Sequence, residues 1–358
     1  MQVDMARHLA IFSANGFAET FTRAHVEWLS PRDVLSGSPY PDRLHGDPIM
    51  GAGLLDRLVR IRLTRFEHID PQQVPFEHYL RTHQPDVLFA EFGTSSADVV
   101  EGCARHGVEL VGSFYGVDAF EQGLLKKYAD RYKRLFGYAK AIMVQSRSIA
   151  SQLERMGCPA ERIVLNPCPP DPSFADLRCD AGSRTICAIG RFVDKKSPVS
   201  VALMMDRLVR KAPDLHLVWA GDGPLLPAAR ELVNALGLSA QVTFVGRVHP
   251  EEQKRIMSHC AMLVQHSVTA ENGDREGLPV VIMRPCWRDC RWFPRCIRAF
   301  LRWWSMAGPA GWCPSTISQG WPMVCCTSST TARWPWRWGR QVKRGSWKSI
   351  PRRVIFPC

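Results

Sequence analysis

The sequence predicts an α/β fold with two Rossmann-like domains facing a cleft, of which the second is incomplete. Strand-like apolar runs alternate with helix-like runs, a proline-rich break at 167–172 divides them into two series, and the composition changes abruptly before the last 75 residues. Alternating strands and helices are typical of a parallel sheet covered by helices. We therefore expect one domain at 1–170, a second at 171–283 and a tail at 284–358 that does not fit the fold.

Apolar runs bounded by turn residues mark the strands, and apolar residues at helical spacing mark the helices. Before the break, the expected strands are 8–12, 85–90, 108–114 and 142–145, and the expected helices are 19–29, 126–139 and 148–156. After the break, the expected strands are 185–189, 215–220, 241–245 and 261–264, and the expected helices are 198–211, 225–236 and 250–259. The alternation is more regular in this second series.

The main part of the chain has the composition of an ordinary intracellular protein. Residues 1–283 hold 32 basic and 33 acidic groups, and their six cysteines lack C-x-x-C spacing, which favours reduced and mostly buried thiols. No run of 18 apolar residues predicts a membrane-spanning helix, and the N-terminus lacks the pattern of a signal peptide. We expect a cytoplasmic protein.

The last 75 residues have a different composition. They contain ten of the 12 Trp, seven of the 13 Cys, and 14 Lys and Arg against one acid, so they carry +13. Neither helical nor strand periodicity is present. Cys286, Cys290 and Cys296 do not have the spacing of a zinc site. One interpretation is a genuine basic aromatic tail that binds membrane or nucleic acid.

A second interpretation, which we favour, is that this tail is read one base out of frame. Codons for Trp and Cys begin with TG, so a shift that takes in the last base of the preceding codon turns each into Leu, Met or Val. Seventeen unusual residues then become ordinary core residues. With synonymous codons chosen for the rest, the shifted text contains AGLPVVS, HSGIP and GRTGWLVPEHD and no stop codon. We expect the tail to be disordered in the chain as written.

The loops after the strands of the second series carry the candidate binding residues, because open α/β sheets bind ligands at the carboxyl ends of their strands. Their glycines permit close approach of a ligand, and the cations of Arg191 and Lys196 suit a diphosphate. Gly277 and Leu278 are expected to open a helix whose N-terminus faces the same anion. Singly, each motif is more often an ordinary turn or a solvated charge, whereas their order and spacing are more specific. The expected donor-binding residues are Gly190, Gly221, Asp222, Gly223, Gly246, Gly277 and Leu278.

The chain resembles family 4 of the retaining glycosyltransferases, and within it the bacterial exopolysaccharide and colanic-acid-type enzymes. The likeness rests on AIGRFVDKKSP, VWAGDGP, VTFVGRV and SVTAENGDREGLPVVIM, and more loosely on EFGTSSADVV, SFYGVDAF and VQSRSIASQLERMGCPAERI. It spans residues 8–283, and the shifted text continues it. The resemblance implies the GT-B architecture, a nucleotide-sugar donor held by the second domain, and a reaction without metal or cofactor.

The resemblance also implies catalytic roles in the second domain. Arg191 and Lys196 match residues that hold the donor diphosphate, and Glu276 matches the first acid of the family's E-x7-E signature, which contacts the donor sugar. The second acid usually binds the nucleotide ribose and falls at position 284, where this chain has Arg284. Pro285 follows and would interrupt a helix there. We expect the chain as written to be catalytically impaired.

On the acceptor side we expect Gly16, Tyr115 and Asp118. Tyr115 stands where many relatives have the His that contacts the transferred sugar, and its hydroxyl can still donate a hydrogen bond. Asp118 is either an acceptor-side group or the N-cap of a helix. His266 either lines the cleft or is structural.

The basic helix at 126–140 either rests on anionic lipid or presents an ordinary solvated face. The sequence thus predicts a retaining glycosyltransferase that moves a sugar from a nucleotide-diphosphate-sugar to a lipid-linked or oligosaccharide acceptor in surface polysaccharide assembly. We expect peripheral contact with the inner membrane and no nucleic-acid partner. Two alternatives stay open: a non-catalytic binding protein whose tail engages nucleic acid or membrane, and the inactive product of a decayed gene.

Overall fold

The computed structural model of the chain describes residues 8–14, 20–167, 172–174, 177–178, 180, 182–279 and 281. The tail at 284–358, Gly16 and most of the proline-rich break lie outside these residues. The expectations attached to those segments therefore stay predictions.

The first sheet has eight strands among the described residues, in the order β4-β3-β2-β1-β5-β6-β7-β8. They are β1 (Leu9–Ser13), β2 (Asp33–Ser36), β3 (Arg43–Leu44), β4 (Asp47–Pro48), β5 (Val87–Ala90), β6 (Glu109–Phe114), β7 (Ala141–Val144) and β8 (Ile163–Leu165). Six strands pair in parallel, whereas β3 and β4 form an antiparallel edge. The helices of this half are α1 (Thr20–Leu29), α2 (Leu54–Ile61), α3 (Val74–His83), α4 (Gly93–Asp98), α5 (Val100–His106), α6 (Val117–Phe120), α7 (Gln122–Tyr138) and α8 (Arg147–Arg155).

The second sheet has four described strands in the order β11-β10-β9-β12, all parallel. They are β9 (Thr185–Ile189), β10 (His216–Ala220), β11 (Val242–Gly246) and β12 (Met262–Val264), and the helices between them are α9 (Pro198–Val209), α10 (Leu226–Ala235) and α11 (Pro250–Ser258). Along the chain, β10 and β11 are added in turn on one side of β9, and β12 then pairs with the other side of β9. Ligands of open α/β sheets bind where the strand order reverses in this way, here between β9 and β12.

Burial on both faces explains why these strands read as continuous apolar runs. In β9, Ile186 and Ala188 join the core under α9 and α10, whereas Cys187 and Ile189 join the core under α11. A parallel sheet with helices on both faces requires this double burial. The two Rossmann-like units predicted from the alternation are therefore confirmed. The described cysteines Cys103, Cys158, Cys187 and Cys260 are buried and free, as expected for reduced thiols.

Helix α7 begins four residues before the predicted start, because the Glu121 side chain caps it by accepting the Leu124 N–H at 2.5 Å. Its aromatic residues Tyr128, Tyr132 and Phe136 are buried in the core of the first domain. Its cations pair with acids: Arg131 with Asp98, Lys133 with Asp130, and Arg134 with Glu101. Of the two interpretations of this helix, the structure favours the solvated face, since the apolar side that a lipid surface requires points inward.

Within the described residues, no helix is long and apolar enough to cross a membrane.

Candidate functional site

The turn after β9 places two cations at the carboxyl end of that strand. Gly190 follows the buried strand, Arg191 is exposed, and a single 3₁₀ turn over Asp194–Lys196 leads into α9. The aliphatic stem of Lys196 lies over Gly190, with its Cε 3.8 Å from the position that a Cβ would occupy. Both cations therefore lie at the switch point of the second sheet, where an anionic ligand would meet them.

Lys196 is held by Glu276, a residue 80 positions away in the sequence. Lys196 Nζ lies 3.1 Å from Glu276 Oε1, and the two side chains are 16% and 18% exposed. Burial lowers the pKa of Lys196, and the neighbouring Glu276 carboxylate opposes that lowering. The structure thus brings together two of the three residues predicted to be catalytic.

The adjacent Lys195 has a different partner. Its Nζ lies 3.1 Å from Asp274 Oδ1 and 3.9 Å from Glu276 Oε1, and its side chain is 8% exposed. Its carbonyl oxygen accepts the Val268 N–H at 2.9 Å, which ties the turn after β9 to the segment after β12. The alternative that Lys196 is a solvated charge is therefore wrong, and its neighbour Lys195 is buried as well. The Lys195–Asp274 pair escaped the sequence analysis, because nothing in the local pattern links the two positions.

The glycines after β10 make room for a neighbouring backbone. A Cβ on Gly221 would lie 1.8 Å from the Gly190 carbonyl oxygen, and one on Gly223 would lie 2.5 Å from the Phe192 carbonyl oxygen. Both glycines have positive φ, at +142° and +150°. The loop after β9 occupies the space on the Cβ side of both glycines, and their predicted part in donor binding stays a prediction. Gly221 and Gly223 shape the site by letting two strand-end loops pack together.

The remaining residues of these loops fall in different positions. The Asp222 carboxylate accepts the N–H of Gly223 at 2.8 Å, and its carbonyl oxygen accepts the Phe192 N–H at 2.9 Å. Asp222 therefore serves the turn. Gly246 ends β11 at φ +72°, and no atom lies within 4 Å of the position that a Cβ would occupy there. Its predicted part in donor binding stays a prediction.

The segment at 270–279 runs between the two halves of the molecule. On the first half, the Gln122 N–H donates to the Asn272 carbonyl oxygen at 2.9 Å, and the Arg275 guanidinium lies 3.9 Å from the centroid of the Phe120 ring. Burial lowers the pKa of Arg275. On the second half, the same segment carries Asp274 and Glu276. Contacts with α6 and α7 on one side and with the turn after β9 on the other hold this segment, and with it Glu276, near the carboxyl end of β9.

Gly277 and Gly116 allow this segment to approach the first domain. A Cβ on Gly277 would lie 2.1 Å from the Tyr115 carbonyl oxygen, and one on Gly116 would lie 3.1 Å from the Arg275 carbonyl oxygen. Residues 277–279, Leu278 among them, are not helical, and Val281 is the first helical residue described after them. The helix therefore begins after Pro279, later than predicted, and the predicted part of Gly277 and Leu278 in donor binding stays a prediction. Gly277 is required where two backbones meet.

Tyr115 directly follows the strand β6 and points towards a buried acid. Its hydroxyl donates a long hydrogen bond of 3.5 Å to Glu91 Oε1. Glu91 follows β5, is fully buried, and also accepts hydrogen bonds from Thr22 and from His25 Nδ1, the latter at 2.7 Å. The position of Glu91 directly after a buried strand was a usable signal for this site, although the sequence analysis did not single it out.

Asp118 lies beneath this acceptor-side turn. It is buried, and its carboxylate accepts the N–H groups of Gly93 and Gly116 at 2.8 Å and of Tyr115 at 3.0 Å. Burial raises the pKa of Asp118, and the three hydrogen bonds oppose that rise. The N-cap alternative is wrong, because Gly116 occupies the N-cap of α6 and Asp118 lies inside the helix. Asp118 does not present its carboxylate to the cleft; it positions Tyr115 and Gly116.

A small, open depression lies at the switch point. Its lining includes Gly190, Arg191, Lys196, Gln265 and His266. Burial lowers the pKa of His266, which favours its neutral imidazole. Of the two alternatives for His266, the structure supports the one that places it in the cleft.

Comparison with protein families identifies the two halves separately. Residues 34–174 match the model described as Glycosyltransferase Family 4, and residues 171–285 match the model described as Glycosyl transferases group 1. The second match ends within two residues of the change in composition at 284.

Curated relatives cover parts of the same region. WcaL of Escherichia coli K12, named as a putative colanic acid biosynthesis glycosyltransferase, is 27% identical over 206 residues, which are 55% of this chain and 50% of WcaL. The amylovoran biosynthesis glycosyltransferase AmsK of Erwinia amylovora is 29% identical over 174 residues, which are 48% of this chain and 42% of AmsK. The chain thus spans about half the length of the curated relatives it matches.

Solved structures share the fold at low sequence identity. Anabaena Alr3699/HepE in complex with UDP and glucose superposes with a TM-score of 0.54 at 14% identity, covering 78% of each chain. Sucrose-phosphate synthase from Thermosynechococcus elongatus gives a TM-score of 0.55 at 18% identity, again covering 78% of each chain. Together with the two family matches, these likenesses show that the chain has the GT-B fold of two Rossmann-like domains.

Proposed function

We propose that this chain derives from a retaining glycosyltransferase that moves a sugar from a nucleotide-diphosphate-sugar to a lipid-linked or oligosaccharide acceptor in surface polysaccharide assembly. The observation that carries the proposal is the ion pair between Lys196 and Glu276 above the carboxyl end of β9, with Arg191 beside it. The names of WcaL and AmsK support the polysaccharide pathway, and the complexes of Alr3699/HepE with UDP and with UDP-glucose support the donor class. We place the enzyme in the cytoplasm, at the face of the membrane where lipid-linked acceptors are assembled.

The chemistry follows from the charges at this position. A departing nucleoside diphosphate carries negative charge that Lys196 and Arg191 stabilise, which is the main rate term in this proposal. Because the two cations supply this stabilisation, the proposed reaction uses no metal ion. Glu276 holds Lys196 in place before the donor binds and accepts hydrogen bonds from sugar hydroxyls once the diphosphate has taken its place at Lys196.

We also propose that residues 284–358 are out of frame and that the 358-residue chain is impaired. Arg284 then stands where an acid would bind the ribose of the donor. The end of the second family match at residue 285 supports this proposal. Resequencing the DNA around codons 280–286 tests the frame directly.

Calorimetric titration with UDP, GDP, ADP and pyrophosphate tests the binding function. The 358-residue chain should bind pyrophosphate saturably, because Arg191 and Lys196 precede the tail, and should show little preference for any nucleoside diphosphate. A frame-corrected chain should gain affinity for one nucleoside diphosphate without a comparable gain for pyrophosphate. Full transferase turnover by the 358-residue chain would contradict the proposed impairment, and absence of saturable binding by both chains would contradict the donor site.

A further inference from the structure

Helix α2 and the π-helical turn that follows it, Arg62–Phe66, expose an unusual amount of apolar surface. Nine large hydrophobic side chains are exposed in the part of the chain that the structure describes, and five of them fall within these 13 residues. They are Leu54, Leu55, Leu58, Ile61 and Phe66, exposed by 73%, 78%, 53%, 47% and 77%. We refer to residues 54–66 as the α2 surface. Scattered exposed leucines are normal on proteins, but a contiguous group is typical of an interaction site.

The α2 surface is attached to the domain along one side only. Leu63 is buried and Val59 packs beside it, against a small core that contains Met50, Ile69 and Val74. The exposed residues Leu54, Leu58 and Ile61 follow the spacing i, i+4, i+7 and so lie on one stripe. Since Val59 and Leu63 fall on the other side of the helix, the element has two apolar faces, one packed and one presented to solvent.

Arginines border the exposed stripe. Arg57, Arg60, Arg62 and Arg65 stand within the same 13 residues, where Asp56 is the single acid. Asp56 accepts the N–H of Gly51 at 3.0 Å. Arg62 lies 3.4 Å from Glu67, whereas no ion pair with another described residue is found for Arg57, Arg60 or Arg65. The α2 surface is therefore both apolar and strongly basic.

We propose that the α2 surface docks on an anionic lipid bilayer, with the leucines and Phe66 among the acyl chains and the arginines at the headgroups. A short amphipathic helix with an apolar face and arginines beside it is suited to the plane of a membrane interface. Anionic headgroups complement its charge. A second copy of the chain is a poorer partner, because an isologous contact would bring two sets of arginines together. The inference rests on the proposed peripheral membrane contact but not on catalysis, and it assigns that contact to α2 and not to α7.

Co-sedimentation of the full chain with vesicles tests this assignment without donor or acceptor. One set of vesicles is pure phosphatidylcholine, and the other contains 30% phosphatidylglycerol, a fraction chosen as about that of an anionic inner leaflet. The variants are Leu55→Gln with Leu58→Gln, and Arg57→Gln with Arg65→Gln. Matched controls are Leu203→Gln and Arg207→Gln, which replace exposed residues of α9 in the second domain.

The leucine pair should lower the partition coefficient onto anionic vesicles by at least about tenfold. The arginine pair should lower it by roughly thirtyfold on anionic vesicles and have little effect on neutral ones, since each arginine near an anionic surface contributes about 1 kcal/mol. The two control variants should bind as the wild type does. Nucleotide binding, measured separately, should be unchanged in all four, so a failed donor site cannot be mistaken for a failed membrane contact.

Wild-type binding by both α2 variants would overturn the proposal and assign the attachment to another surface, such as the basic residues at 284–358. A change in oligomeric state without a change in vesicle binding would also overturn it. Photocrosslinking to lipid from benzoylphenylalanine at position 55, compared with position 203, decides the question independently of how well the glutamine variants fold. Crosslinking to lipid is expected from position 55 alone.

Discussion

Two adjacent lysines in the turn after β9 are expected to have separable functions, and methionine substitutions distinguish them. Lys195 forms a mostly buried pair with Asp274, at 3.1 Å with side chains 8% and 17% exposed. Lys195→Met keeps the aliphatic stem but removes the ammonium from a carboxylate that is largely out of water. Removing one partner of a fully buried pair costs about 3–5 kcal/mol. Because Asp274 keeps some contact with solvent, we expect a loss of about 2–3 kcal/mol in the free energy of unfolding.

Lys196→Met should act on the ligand and not on the fold. The substitution leaves Glu276 with Lys195 Nζ at 3.9 Å, so part of its electrostatic compensation remains and the loss of stability should be small. The proposed contact between Lys196 and a diphosphate is a charge-assisted hydrogen bond, which contributes about 1.5–3 kcal/mol. The dissociation constant for pyrophosphate should therefore rise by roughly 10- to 150-fold.

Isothermal titration measures the affinity, and urea denaturation measures the stability of the same preparations. Lys211→Met is the matched control, because Lys211 is exposed just beyond the end of α9 and should affect neither quantity. If Lys195→Met and Lys196→Met weaken binding equally with no difference in stability, then Lys195 does not serve the fold and Lys196 the ligand, as proposed. The assignment of the diphosphate to Lys196 would then be wrong.

Three further predictions concern the same site. The affinity for a nucleoside diphosphate should fall as the pH rises through the pKa of Lys196, and this fall should lie below the range of an ordinary lysine because burial lowers that pKa. Glu276→Gln removes the carboxylate that opposes the lowering, so it should move the fall in affinity to still lower pH. Titration calorimetry over a range of pH measures both. Gly277→Ala should lower the melting temperature, because its Cβ would meet a backbone carbonyl oxygen at 2.1 Å, whereas Gly137→Ala, with nothing within 4 Å inside α7, should leave it unchanged or slightly raised. Asp118→Asn replaces one oxygen of the carboxylate that accepts three backbone N–H groups by an NH₂ group, which cannot accept them. It should lower the free energy of unfolding, measured by urea denaturation, by about 1–2 kcal/mol.

The elements of the second domain were predictable because their burial follows a simple rule. Strand 185–189 was predicted with its observed bounds, and the other described strands and helices after the break were predicted to within two residues. A strand buried on both faces gives a run of apolar residues that is hard to mistake. By contrast, β3 and β4 have two residues each and are held by pairing, β3 with β2 and β4 with β3, so apolar periodicity does not reveal them.

The site was predictable in its charges but not in its contacts. Arg191, Lys196 and Glu276 were singled out, and the structure places them at one end of β9. The role of the glycines was not predictable, because a glycine that admits a ligand and one that admits a backbone have the same sequence signal. Gly221 and Gly277 are of the second kind, as the distances to Gly190 and Tyr115 show.

The positions along the chain of the residues in the proposed donor site explain how its diphosphate end can be present while its ribose end is missing. The diphosphate end depends on the turn after β9 and on the segment at 270–279, and that segment is fixed by the first domain through Asn272 and Arg275. None of these contacts requires a residue beyond 279. The ribose end depends on a residue expected at position 284, where the chain has arginine. Under the proposed function, changes beyond that point should remove recognition of the nucleoside and leave in place the proposed anion site and the contact between the two domains that supports it.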